Sequence, residues 1–190
     1  MHPRPLRTQR VGITPPAAEL PHGVVVRRLD AHRDPRGLVA ECSRSDWPIA
    51  DAPRQWTLFT SAAGVMRGVH VHPRHDDYVV LISGAMCVGL RDLRPDAPSE
   101  GRTAMVVLRG DAPTALFIPH GVAHGMLSHA VSVFVIGTSH HYDRDDELGC
   151  HRRDPDLGIA WPVRSAQLFE RDAALPPVRA LVGRIAPWRP

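Results

Sequence analysis

The sequence predicts an all-β protein, a sandwich, jelly roll or barrel. Three observations lead there. Short apolar runs rich in β-branched residues recur along the chain, such as Val79–Ile82 and Val131–Val135. Tight-turn residues divide them, among them Gly110-Asp111 and Pro119-His120-Gly121. Helical periodicity is almost absent, so layers of short strands are what remains. A chain of 190 residues supplies one buried core and no comfortable second one.

The elements follow in order. Residues 1–22 contain Pro3, Pro5, Pro15, Pro16 and Pro21 and read as an N-terminal arm, leaving 23–190 as a single domain. Val24–Leu29 is the first strand, His32–Pro35 turns the chain, and Gly37–Glu41 is the second strand. Strands follow at Gln55–Ser61 and Val65–His72. Tyr78–Leu93 reads as one long bent strand, with Gly84 and Gly89 as its weak points. Thr103–Arg109, Ala115–Ile118, Val122–Ser128 and Val131–Ser139 complete the set. Asp143–Asp156 is a charged loop, and Pro177–Ile185 is a short C-terminal helix candidate.

Composition excludes several functions. All 23 basic side chains are arginine, so no lysine is available as a Schiff-base former. The net charge of +3 is spread without a basic run, so no nucleic-acid partner is expected. No segment has the length and apolarity of a membrane span, and the N-terminus lacks a signal-peptide core. Cys42, Cys87 and Cys150 show neither metal-site spacing nor an even count, which fits a reducing compartment. A cytoplasmic protein is expected.

The chemistry concentrates in Met66–Gly84, MRGVHVHPRHDDYVVLISG. Alternate residues of a strand share a face, so His70 and His72 can converge, and Asp77 can add a carboxylate across a turn. His124 follows a later turn. His75 and Asp76 read as solvated turn residues. The pattern G-x-H-x-H-x4-D-x6-G, followed by P-x-G-x-x-H at Pro119–His124, resembles the two motifs of the cupin superfamily, with Asp in place of Glu. That resemblance implies a cupin double-stranded β-helix, or jelly roll. It also implies an alternative function: a metal-dependent isomerase or dioxygenase holding a divalent ion with His70, His72, Asp77 and His124.

A second resemblance covers more of the chain. From Asp34 to Asp172 the sequence is similar to the dTDP-4-dehydrorhamnose 3,5-epimerase family, a branch of the cupins. The matching pieces are Asp34-Pro35-Arg36-Gly37 with Glu41; Gln55; Arg67-Gly68-Val69-His70; Asp92-Leu93-Arg94; Ile118–Gly125; Tyr142; Glu147-Leu148-Gly149; and Asp154–Pro162. The resemblance implies a base that removes the proton beside the 4-keto group of a nucleotide-linked 6-deoxyhexose, with an enolate intermediate. By resemblance His70 is that base and Asp154 its carboxylate partner. Arg67 and His124 contact substrate, Arg36 and Glu41 meet the nucleotide, and Tyr142 stacks on its base. Gln55, Glu147 and Arg171 are further substrate-binding candidates. A homodimer and the absence of any organic cofactor are also implied.

Three positions depart from the family pattern. Its general-acid tyrosine corresponds to Ile136, its enolate-stabilising lysine to Asp77, and a glutamine after the base to His72. If the strand after the His124 turn continues far enough, His140 shares a face with Ile136 and becomes the candidate acid. The alternatives are inversion of one carbon only, a different enolisation, a metal-holding pocket, or a descendant that binds a sugar nucleotide without catalysis.

Overall fold

The structure, a computed structural model, describes residues 19–47 and 52–189. It is a two-sheet jelly roll. The strands are β1 Val25–Arg28, β2 Ala31–Asp34, β3 Gly37–Ala40, β4 Gln55–Ser61, β5 Val65–Val71, β6 Asp77–Ser83, β7 Ala85–Asp92 and β8 Thr103–Arg109. Then come β9 Thr114–Ile118, β10 Val122–Ser128, β11 Ser132–Thr138, β12 Leu148–Gly149 and β13 Gln167–Leu168. The first sheet has the order β1-β9-β6-β11-β4, and the second β12-β5-β10-β7-β8, with β13 added to β5. β2 and β3 form a separate hairpin.

Alternation places the core. Val79, Leu81, Leu116 and Phe134 of the first sheet cluster with Met86, Val88, Leu90, Val106 and Leu108 of the second. Phe134 is fully buried and stacks on Phe59 with ring centroids 5.1 Å apart. The opposite face of the second sheet buries Met66, Val69, Val71, Cys87 and Leu127 against Leu157, Leu181 and Ile185 of the C-terminal segment. The opposite face of the first sheet buries Tyr78, Val80 and Phe117 with Leu29 and residues near the hairpin.

Several sequence expectations change. The run Tyr78–Leu93 is two strands in different sheets. Gly84 joins them at φ +93, where a Cβ would stand 2.3 Å from the Val131 carbonyl oxygen. His32–Asp34 belongs to a strand, because it pairs with Gly37–Leu38 and Val39 while Pro35-Arg36 make the turn. Most of the predicted arm, residues 1–18, lies outside the described residues. In its last part Leu20 is buried in the core with Val24. In the C-terminal tail, α1 (Glu170–Ala173) precedes the expected helix, which is a 3-10 turn at Val178–Leu181. Among the described residues, no helix is long and apolar enough to cross a membrane.

Candidate active site

A cavity of about 690 Å³ opens where β4 and β11 of one sheet face β5 and β10 of the other. Side chains alternate along β4, so Gln55, Thr57 and Phe59 face inward while Trp56 and Leu58 face out. On β5 a bulge resets this alternation. The four residues from Arg67 to His70 oppose the three from Met126 to His124. Gly68 sits in the bulge at φ +91, and a Cβ there would stand 2.9 Å from the His124 carbonyl oxygen. The reset turns Arg67, His70 and His72 toward the cavity and sends Val69 and Val71 into the core behind.

His70 is held by Asp172. Its Nε2 lies 2.9 Å from Asp172 Oδ1, and the Gly68 N–H donates to Asp172 Oδ2 at 2.9 Å. Burial alone would raise the Asp172 carboxyl, but the bonds from His70 and Gly68 hold it below the usual carboxylate range. A carboxylate accepts the Nε2 proton, which leaves Nδ1 as the basic nitrogen. Nδ1 has no hydrogen-bond partner among the described residues.

Asp154, expected as this partner, is elsewhere. It caps the 3-10 turn Pro155–Leu157, accepting from the Asp156 N–H at 2.8 Å, and its other oxygen takes the Val178 N–H at 2.8 Å. Nothing local separates Asp172 from the other carboxylates of the tail, so sequence reasoning missed it. His140 is also displaced. β11 ends at Thr138, and His140 is exposed beyond the strand, outside the cavity lining. Ile136 does line the cavity, as its alternation predicts.

The remaining candidates divide into two groups. Arg67 is fixed by Ser61 Oγ and the Thr60 carbonyl oxygen, both at 2.9 Å. Gln55 Oε1 accepts the Tyr142 N–H at 3.0 Å, which places Tyr142 at the mouth. Arg171 lies 3.5 Å from Glu147 and donates to its carbonyl oxygen. Arg36 and Glu41 stand apart from this cavity: Arg36 pairs with Asp34 on the exposed hairpin, and Glu41 with Arg44.

A second polar group forms the cavity floor. Asp77 is enclosed by His124 Nε2 at 3.1 Å, His72 Nε2 at 3.3 Å and His75 Nε2 at 3.6 Å. Of the four ligand candidates from sequence, His72, Asp77 and His124 meet here together with His75, while His70 is held by Asp172. His75 and Asp76 are buried, not solvated. Asp146 takes His75 Nδ1 at 2.7 Å, and the Asp76 carboxylate accepts the His120 N–H at 2.8 Å. Burial would lower the His72 ring, but Asp77 and Glu147 push it up to about 9. Burial would raise Asp77, but the three imidazoles hold its carboxyl well below the usual range.

The jelly-roll fold agrees with comparison to known proteins. The family model for dTDP-4-dehydrorhamnose 3,5-epimerase matches residues 19–180. The chain belongs to that family. It is 34% identical over 143 residues to the spore coat polysaccharide biosynthesis protein SpsL of Bacillus subtilis, covering 73% of this chain and 95% of that one. It is 32% identical over 130 residues to the dTDP-4-dehydrorhamnose 3,5-epimerase of Mycobacterium tuberculosis, covering 65% of this chain and 64% of that enzyme. The match therefore spans slightly under two thirds of that relative. Its fold superimposes with a TM-score of 0.81 on ChmJ, a 3'-monoepimerase from Streptomyces bikiniensis solved with dTDP-quinovose. That pair is 26% identical, over 92% of this chain and 93% of the other.

Proposed function

We propose that this chain is an epimerase of a nucleotide-linked 4-keto-6-deoxyhexose, with dTDP as the nucleotide, and that it inverts a single carbon beside the ketone. The observation that carries this is the His70–Asp172 pair at 2.9 Å on the cavity wall. A ketone acidifies its neighbouring C–H, so the reaction needs a base near neutrality and a group facing the carbonyl oxygen, and no organic cofactor. His70 Nδ1 takes the proton, the C–H electron pair moves toward the carbonyl oxygen, and an enolate forms. Arg67, on the same cavity wall as His70, supplies a hydrogen bond to that oxygen. A proton returned from solvent to the opposite face completes the inversion.

Restriction to one carbon rests on Ile136. The inner wall there is Ile136, Met126 and Phe59, none of which can donate a proton. The chain has two tyrosines: Tyr142 is at the mouth, and the Tyr78 hydroxyl donates to the Cys42 carbonyl oxygen behind the sheet. Tyr142 and Arg171 at the rim suit the nucleotide base and a phosphate oxygen. The chain works as a homodimer in this reading, supported by exposed Trp56 and Leu58 on the edge strand β4. A cytoplasmic setting suits its three unpaired cysteines.

Incubation of dTDP-4-keto-6-deoxyglucose with the protein in deuterated water tests the reading. Deuterium entering one carbon beside the ketone, and none with His70→Ala, is the expected result. No exchange into any 4-keto sugar nucleotide would sink it.

A further inference from the structure

We propose that the cleft lined by Arg152, Arg153 and Arg164 is a second binding site, separate from the His70 cavity, and that it takes the phosphate group of a small organic phosphate ester. The cleft lies in the segment that joins β12 to β13. Its volume is about 360 Å³, and it shares no lining residue with the His70 cavity. That volume is at the lower end of small-molecule pockets, which run from about 300 to 1,000 Å³.

The first observation is a buried charge without a counter-ion. Arg94 and Arg152 are the two buried arginines among the described residues, 4% and 5% exposed. Arg94 has Asp92 at 2.8 Å. Arg152 forms no ion pair among the described residues, and its guanidinium makes one hydrogen bond, from Nη2 to the Arg164 carbonyl oxygen at 2.9 Å. Charged side chains this deep are almost never left unpaired. Burial and the neighbouring Arg153 press the Arg152 guanidinium below its ordinary value. An anion in the cleft would supply what Asp92 supplies to Arg94.

The second is convergence. Arg153 Nη2 donates to the same Arg164 carbonyl oxygen at 2.7 Å, so two like charges are held side by side. With Arg164, three guanidiniums line the cleft against the one carboxylate of Asp154, an excess of two positive charges. Asp154 is already occupied by the Asp156 and Val178 N–H groups. A further cation stands behind Gly158 of the lining: Arg91 Nη1 donates to the Leu157 carbonyl oxygen at 3.2 Å, and Arg91 Nε is buried with no hydrogen-bond partner. A phosphate monoester carries close to two negative charges near neutral pH, and the planar fork of arginine bonds two of its oxygens together.

The third is a fixed apolar wall. Trp161 Nε1 donates to the Arg152 carbonyl oxygen at 3.2 Å. The far end of its ring packs over Gly89, where a Cβ would stand 2.6 Å from Cη2, and Ile159 packs over the same glycine. Indole and guanidiniums are thus set before a ligand arrives, which reduces the ordering cost of binding. An ester brings an organic group to this wall, and inorganic phosphate does not.

The full chain is titrated calorimetrically with phenyl phosphate and, separately, with inorganic phosphate, at low ionic strength with chloride as the control anion. Saturation by phenyl phosphate at one per chain is expected, with inorganic phosphate about tenfold weaker because it buries no ring. Arg152→Met and Arg153→Gln should each weaken phenyl phosphate by about tenfold, the loss of one charge-assisted bond. Arg171→Ala, at the rim of the His70 cavity, should bind as wild type does. Stability separates binding from a merely structural role. Millimolar phenyl phosphate should raise the Tm of wild type and not that of Arg152→Met, whereas general exclusion of phosphate from the surface would raise both alike. Absence of saturable binding would overturn the proposal, as would wild-type affinity in both arginine variants, an equal rise in Tm, or affinity lost in Arg171→Ala. Equal affinity for inorganic phosphate would overturn the assignment of an ester. If Arg152→Met does not fold, Arg153→Gln decides, since Arg153 is exposed.

Discussion

His70 Nε2 and Asp172 Oδ1 meet at 2.9 Å across 102 residues of sequence. The histidine is brought by the bulged strand β5 and the aspartate by the short helix α1, which touches β5. The pair fixes the tautomer and, in the proposed reaction, leaves Nδ1 to act as the base. Asp172→Asn retains shape and removes the charge that steadies the imidazolium. Exchange of substrate deuterium should fall by about 10²–10⁴-fold, the range a positioned general base supplies. KM should move little. A drop under about threefold would show that Asp172 serves only the fold.

The strands were largely legible in the sequence, because period-2 alternation and turn residues act locally. Gln55–Ser61, Thr103–Arg109 and Val122–Ser128 have the bounds their patterns predict. Long-range partners were less legible. Asp154 and Asp172 are the same residue type in the same tail, and only the docking of α1 on β5 selects one of them. His75 shows the same limit. Its neighbours in sequence suggest a solvated turn, while Asp146, 71 residues away, makes its burial affordable by taking Nδ1. His140 failed for a simpler reason: β11 stops at Thr138.

Gly68 connects the fold to the site. Its φ of +91 and the 2.9 Å approach of a Cβ to His124 O and His70 N leave no room for a side chain. Gly68→Ala should cost about 1–3 kcal/mol through backbone strain and overpacking. It should also disturb the aim of His70. Urea denaturation and the exchange assay would both fall, whereas wild-type exchange in a destabilised variant would show that the bulge serves packing alone.

Asp92 predicts the acid limb of stability. It is fully buried, bonded to Arg94 Nε at 2.9 Å and Ser99 Oγ at 2.6 Å, and Arg94 reaches on to the His22 carbonyl oxygen. Burial would raise the carboxyl, but Arg94 and Ser99 hold it below its ordinary value. A depressed folded value gives stability that is present above the unfolded value of about 3.8 and is lost as pH falls through the folded one. Unfolding free energy should therefore drop between roughly pH 5 and pH 2. Asp92→Asn should remove Asp92's share of that slope and cost about 3–5 kcal/mol at neutral pH, because it leaves a buried guanidinium unpaired. An unchanged slope in the variant would assign the acid limb to other carboxylates.

The edge strand β4 carries the last prediction. It ends the first sheet, and its outward residues Trp56 and Leu58 are 46% and 67% exposed, with Val39 of the hairpin at 72%. An edge with an apolar outer face is a pairing surface unless something covers it. A second copy of the chain satisfies it by symmetry. Light scattering should then show a dimer, and Leu58→Asp should shift it to monomer at micromolar concentration without unfolding it, since Leu58 lies outside the core. Arg36 gives this a functional edge. It is outside its own cavity lining and exposed on the hairpin, so in a dimer it is available to a nucleotide in the partner's cavity. Arg36→Ala and Leu58→Asp should both raise KM by about tenfold, the loss of one charge-assisted bond at about 1.5 kcal/mol, with kcat little changed. A monomeric wild type with full activity would leave Arg36 without a role in binding.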